Sequence, residues 1–189
     1  MNSSVKLLRL LFDLVVLHCG PNIARCLGVY QIGLIPVQAF GAIANGGQLL
    51  MPKLANDRDS SPKLVRRVMS PENAEKAKEI LRQVVLQGTA KGKDRADSAL
   101  YTTAGKTASS YDPDLTEWDL EHGLKKSNFA SSIGFAPVSK PQIEIYVGLN
   151  EPKTDKSGSH GGSHAAPVFR KLAEEVLQHM KVAPDKPQT

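Results

Sequence analysis

The first place in this chain where chemistry could be done is a lysine flanked by hydroxyl side chains. It lies in the run Tyr101-Thr102-Thr103-Ala104-Gly105-Lys106-Thr107-Ala108-Ser109-Ser110. Small and β-favouring residues open the run as an extended strand would. Lys106, Thr107 and Ser109 follow with nothing bulky to cover them. Shown to one opening, they would offer an ammonium and hydroxyl donors to a carboxylate or a carbonyl. A second pair stands near the amino end, where Ser3 and Lys6 are three positions apart. On a helix that lysine could accept the proton of the serine hydroxyl. Asn2-Ser3-Ser4 also reads as a plain helix N-cap, and the cap is the preferred reading.

Other chemistry-bearing residues point less far. Asp112, Asp114, Glu117, Asp119 and Glu121 crowd one polar stretch, but without a recognisable ligand spacing. His160 and His164 are four apart, and Gly161-Gly162 between them argues against a helical metal pair, so they read as exposed loop histidines. Cys19 and Cys26 lack metal-like spacing and read as two small buried hydrophobes. No metal and no cofactor is expected. The net charge is +5, but aromatics are only 5% of the chain, too few for a basic stacking platform, so nucleic acid is not an expected partner.

These residues need elements to position them. A chain of 189 residues, 41% hydrophobic, can bury one core. Leu7, Leu8, Leu11, Leu14 and Val15 recur at helical spacing. Asp13 interrupts the apolar run there and no cleavage site follows, so residues 1–30 read as an apolar helical leader without a clear signal peptide. A helix beginning near Pro36 should stop at Asn45-Gly46-Gly47. Residues 63–69 read as a short strand. Ser70-Pro71-Glu72 opens a helix with Ala77, Ile80, Leu81, Val84 and Val85 on one face, ended by Gly88-Thr89-Ala90. Residues 129–137 and 142–149 read as paired strands. A last helix carries Val168, Leu172, Val176 and Met180 as its packing face, and residues 183–189 read as a disordered tail.

Taken in order, these pieces resemble the class B penicillin-binding proteins, the peptidoglycan D,D-transpeptidases. Ala104-Gly105-Lys106-Thr107 resembles the Lys-Thr-Gly motif of penicillin-binding proteins and serine β-lactamases, with Ala108 where that family has glycine. Pro36-Val37-Gln38 through Asn45-Gly46-Gly47 to Pro52, then Ser70-Pro71-Glu72 and Gly88-Thr89-Ala90, are similar to family phrases, with Ile35 in place of the usual threonine. So are Phe129-Ala130 through Gly134-Phe135-Ala136-Pro137, Glu151-Pro152, and Gly161-Gly162 with Ala165-Ala166-Pro167-Val168-Phe169.

The resemblance implies an α+β fold, an antiparallel sheet flanked by helices, with residues 31–182 as the C-terminal part of a penicillin-binding transpeptidase or β-lactamase-like domain. It implies a serine acylated by the D-Ala-D-Ala stem peptide of peptidoglycan, or by a β-lactam, with Lys106, Thr107 and Ser109 binding the substrate carboxylate. It implies work in the cell wall, at the extracytoplasmic (periplasmic) face of the inner membrane, where cell-envelope proteins would be further partners. Ser3-Ser4-Val5-Lys6 spells the family's Ser-x-x-Lys nucleophile motif, but at a terminus rather than in a central helix, and no Ser-x-Asn follows. Two readings stay open: a truncated transpeptidase domain, or a catalytically inactive binding module or gene fragment.

Overall fold

A computed structural model describes residues 35–51, 63–92, 95–111, 128–150 and 160–187. Residues 35–44 form the first helix, α1. It ends where the sequence predicts: Gly46 and Gly47 take φ of 81° and 94°, and Gly47 N–H closes on the Ala42 carbonyl at 2.7 Å. Gly47 also needs to be small, because a Cβ there would stand 2.2 Å from the Met69 carbonyl oxygen. The chain then enters β1 (Gln48–Leu50), a strand the sequence reading did not single out. It pairs antiparallel with β2 (Leu64–Arg67).

Helix α2 (Pro71–Gln87) starts on Ser70, whose hydroxyl accepts the Asn73 N–H at 3.2 Å. Its buried stripe is Ala74, Lys78 and Val85, with Leu81 partly buried between them. The expected face is corrected at Ile80, which is 65% exposed. The inner stripe runs 74, 78, 81, 85, and Ile80 falls on the far side of that helical row. Lys78 is tolerated inside because its ammonium reaches Glu75 at 2.6 Å.

The central sheet has the order β3-β4-β5, all antiparallel: β3 (Ala104–Tyr111), β4 (Asn128–Ala136) and β5 (Ile143–Asn150). Its register places Thr107 opposite Ser132 and Ser132 opposite Val147. The last helix, α3 (Ala165–His179), lies against β4 and β5. Its buried residues are Ala165, Ala166, Phe169, Ala173 and Leu177. Val168, Leu172, Val176 and Met180, the expected face, flank that stripe half-buried. The alanines decide this. They let the helix approach until the Phe169 ring sits over Gly134, where a Cβ would stand 2.8 Å from the ring.

The sheet is therefore covered on both faces. One carries Ile143, Ile145, Val147, Phe169 and Leu177. The other carries Ile133, Phe135 and Tyr146 against Val37, Phe40 and Ala44 of α1. This is the expected antiparallel sheet between helices.

A disordered tail from residue 183 is not what the structure has. Over residues 182–187 the tail runs back over the start of β3. Tyr101 Oη donates to the Val182 carbonyl at 2.8 Å, and Thr102 N–H and hydroxyl donate to the Asp185 carboxylate at 2.7 and 2.5 Å. Lys186 Nζ reaches Asp97 at 2.8 Å. Polar composition argues for disorder only while polar groups lack fixed partners, and Asp185 and Lys186 have them. Residues 188–189 lie outside the described set.

Candidate functional site

Strand β3 is the outer strand of the described sheet. Strand alternation puts Thr107 and Ser109 on one face and Lys106 and Ala108 on the other. Because no described strand pairs with its outer edge, both sets still reach one cleft, of about 770 Å³. It is lined by Lys106, Thr107, Ala108 and Ser109 with Thr89, Arg95 and the segment from His160 to Ser163. The three residues singled out from sequence are thus brought together at one opening, though not by one strand face.

Their states differ. Lys106 is exposed, and its ammonium donates to the Thr107 carbonyl. Thr107 is buried, and its hydroxyl lies 2.6 Å from that of Thr89, just past α2. Ser109 is exposed, and its Oγ accepts the Gly161 N–H at 3.0 Å. Ser163 Oγ, the other serine hydroxyl of the cleft, lies 2.8 Å from His164 Nδ1 and donates to the His160 carbonyl at 3.1 Å. Ser3 and Lys6 lie outside the described residues.

Gly161 and Gly162 close the cleft by lying directly on backbone. A Cβ on Gly161 would meet the carbonyl oxygens of Ser131 at 2.3 Å and Ala108 at 2.4 Å. One on Gly162 would meet the Thr89 carbonyl oxygen at 2.2 Å. These contacts, with Thr89 and Arg95, are what sequence reasoning missed. The pair of glycines just before a helix was the available signal, and in the sequence it reads as an argument against a metal pair and as part of a family phrase, not as a close approach to β3.

The approach to β3 is held from behind. Arg82 Nη1 donates to the Thr103 carbonyl at 3.0 Å and to Asp97 at 2.7 Å, and Thr103 Oγ1 donates to the Ala96 carbonyl at 2.9 Å. Burial by itself would raise the Asp97 pKa. The hydrogen bonds and charges of Lys186 and Arg82 outweigh it and hold the carboxyl below the usual aspartate range.

Electrostatically the cleft favours an anion. Among the described residues its lining holds Lys106, Arg95 and His160 and no carboxylate. Among the described residues no group of three His, Cys, Asp or Glu could hold a metal.

Comparison with known proteins agrees with this architecture. Residues 34–174 match the family described as the penicillin-binding protein transpeptidase domain. The chain is 29% identical over 173 residues to stage V sporulation protein D of Bacillus subtilis, covering 85% of this chain and 25% of that protein. It is 30% identical over 148 residues to the probable peptidoglycan D,D-transpeptidase PbpC of Pseudomonas aeruginosa, covering 78% and 24%. Among solved structures, the apo transpeptidase (TP) domain of Burkholderia pseudomallei penicillin-binding protein 3 superposes with a TM-score of 0.65 at 28% identity, covering 82% of this chain and 44% of that one. The chain thus spans about a quarter of these curated relatives and under half of the solved domain.

Proposed function

The chain belongs to the penicillin-binding protein transpeptidase family, and from that premise we propose that its cleft is the carboxylate-binding wall of a peptidoglycan D,D-transpeptidase site. The observation that carries this reading is the cleft at the outer edge of β3 in the described sheet, where Lys106 stands with Thr107 and Ser109 and no described lining residue is a carboxylate.

The chemistry follows from the groups present. The Lys106 ammonium takes the terminal carboxylate of a D-Ala-D-Ala stem peptide, or the carboxylate of a β-lactam. The Ser109 hydroxyl adds a donor: its Oγ accepts the Gly161 N–H, which leaves its own O–H to turn toward the ligand. Thr107, paired with Thr89, fixes the strand rather than meeting solvent. Binding that orients the peptide in this way lowers the entropy cost of acyl transfer.

In acyl transfer a serine Oγ attacks the penultimate D-Ala carbonyl and gives up its proton to a base. The peptide bond breaks, terminal D-Ala leaves, and an acceptor amine later takes the acyl group. A β-lactam forms the same ester by ring opening, with no leaving group. The pair this chain itself offers for that step is Ser3 with Lys6 as its base. Such work belongs at the cell envelope, outside the cytoplasm, and among the described residues no helix is long and apolar enough to cross a membrane.

A second reading, a binding module without acyl-transfer chemistry, is favoured by the state of the cleft serines. Ser109 and Ser163 both have local partners, and neither partner is a lysine. Intact-mass spectrometry after incubation with benzylpenicillin separates the two. A gain of one ring-opened drug, mapped to Ser3, supports acylation. A folded protein with no adduct leaves binding alone.

A further inference from the structure

We infer that Arg95 is a second anion-reading residue of the cleft, one that favours peptides carrying a carboxylate in addition to the terminal one bound at Lys106. The inference rests on the carboxylate-binding reading above and adds a specificity to it.

Arg95 is exposed, yet it is not a free surface arginine. Its aliphatic stem lies over Gly92, which has φ of 141° and where a Cβ would stand 3.3 Å from Cδ and 3.4 Å from Cγ. Its Nη1 donates to the Thr89 carbonyl at 3.2 Å. Gly162 packs on that same carbonyl, and a Cβ there would come within 3.5 Å of Nη1. The Thr89 hydroxyl, in turn, meets Thr107 at 2.6 Å. The head is therefore tied to one carbonyl while the stem passes close to Gly92, and Thr89, which supplies that carbonyl, is bonded to the strand that carries Lys106.

Fixing a guanidinium matters because its ordering cost is met before a ligand arrives. The Thr89 bond uses one of five N–H donors in the fork, which suits a second, bidentate carboxylate. No acid among the described cleft-lining residues competes for it. A ligand with one carboxylate would meet Lys106 and leave the Arg95 fork to water. One with a side-chain carboxylate a few bonds along the peptide would meet both cations.

Two synthetic peptides test this: N-acetyl-L-glutamyl-D-alanyl-D-alanine, with two carboxylates, and its glutaminyl counterpart, with one. Their dissociation constants are measured by NMR titration against the full chain and the variants Arg95→Gln, Arg95→Lys and Lys106→Gln, each checked for an unchanged melting temperature. The unmodified chain should favour the glutamyl peptide by about 1.5-fold to fivefold, the worth of one solvent-exposed charge pair. Arg95→Gln should bring the ratio close to one, and Arg95→Lys should fall between, since it keeps the charge without the fork. Lys106→Gln should weaken both peptides and keep the ratio. Equal binding by the unmodified chain, or a ratio that survives Arg95→Gln, overturns the inference alone. Failure of both peptides to bind overturns the carboxylate-binding reading and this inference with it.

Discussion

Lys106 and Glu144 are the two residues whose charge state decides most, one in the open and one inside. Lys106 meets solvent, so neutralising it costs the fold little and the ligand a charge-assisted bond. Lys106→Gln should weaken binding of the glutaminyl peptide about tenfold, while urea unfolding moves by less than about 0.5 kcal/mol. A stability loss as large as the binding loss would assign the lysine to the fold instead. Glu144 is the reverse case. It sits on β5 at 2% exposure, facing Val37, Gln38, Gly41, Ala42 and Asn45 of α1 and its end, with Leu50 of β1. Both carboxyl oxygens lack hydrogen-bond partners, and none of the described residues facing it is titratable. Burial pushes its pKa well above the ordinary carboxylate range, because a buried charge without partners is costly. The folded pKa is raised, so folding is favoured at low pH and loses free energy as pH climbs from the unfolded value through the folded one. Glu144→Gln should remove that decline. Unfolding free energies at pH 5, 7 and 9 check it, and an unchanged slope would show that another group titrates.

At the scale of elements, close approach of small residues builds the site. Gly161→Ala drives a methyl into two carbonyl oxygens of β3 and β4. It should cost roughly 1–3 kcal/mol in chemical unfolding and weaken peptide binding, because the segment that closes the cleft must lift. Phe169→Ala empties the space over Gly134 and should cost about 3–5 kcal/mol without touching the cleft lining. Sequence showed the elements well where local signals are strong: the Gly46-Gly47 stop, the Ser70 cap, the hairpin of β4 and β5. It misplaced the inner faces of α2 and α3 because hydrophobicity outvoted size. Ile80 looks like core and is exposed, whereas Ala166 and Ala173 look neutral and make the contact. Lys106, Thr107 and Ser109 were legible because they fall within four positions of one strand. Arg95, Thr89 and Gly161 were not, since only tertiary packing brings the segment after α2 and the segment before α3 to that edge.

For the whole molecule, the tail is as much a part of the sheet's support as the helices. A chain stopped after residue 181 loses the bonds from Tyr101, Thr102 and Lys186 and should be destabilised by about 2–4 kcal/mol in urea unfolding. A change within error would make the tail ornamental. Asp97, lowered by the same lysine and by Arg82, contributes stability above its unfolded pKa that is lost as pH falls through the folded value. Acid should therefore loosen the back of β3, while alkali strains the α1 side at Glu144. Ile35, Leu64 and Ile80 stay outside with large exposed apolar surfaces, on a chain that spans under half of the solved transpeptidase domain it resembles. The tail's bonds also reach unusually far along the chain: Tyr101 meets Val182 across 81 positions and Lys186 meets Asp97 across 89. A ribosome makes β3 long before it makes its clasp. All three strands of the sheet can have left the exit tunnel while the Lys106 edge still lacks this fastening, so the back of β3 is secured only after the strands it supports have been made.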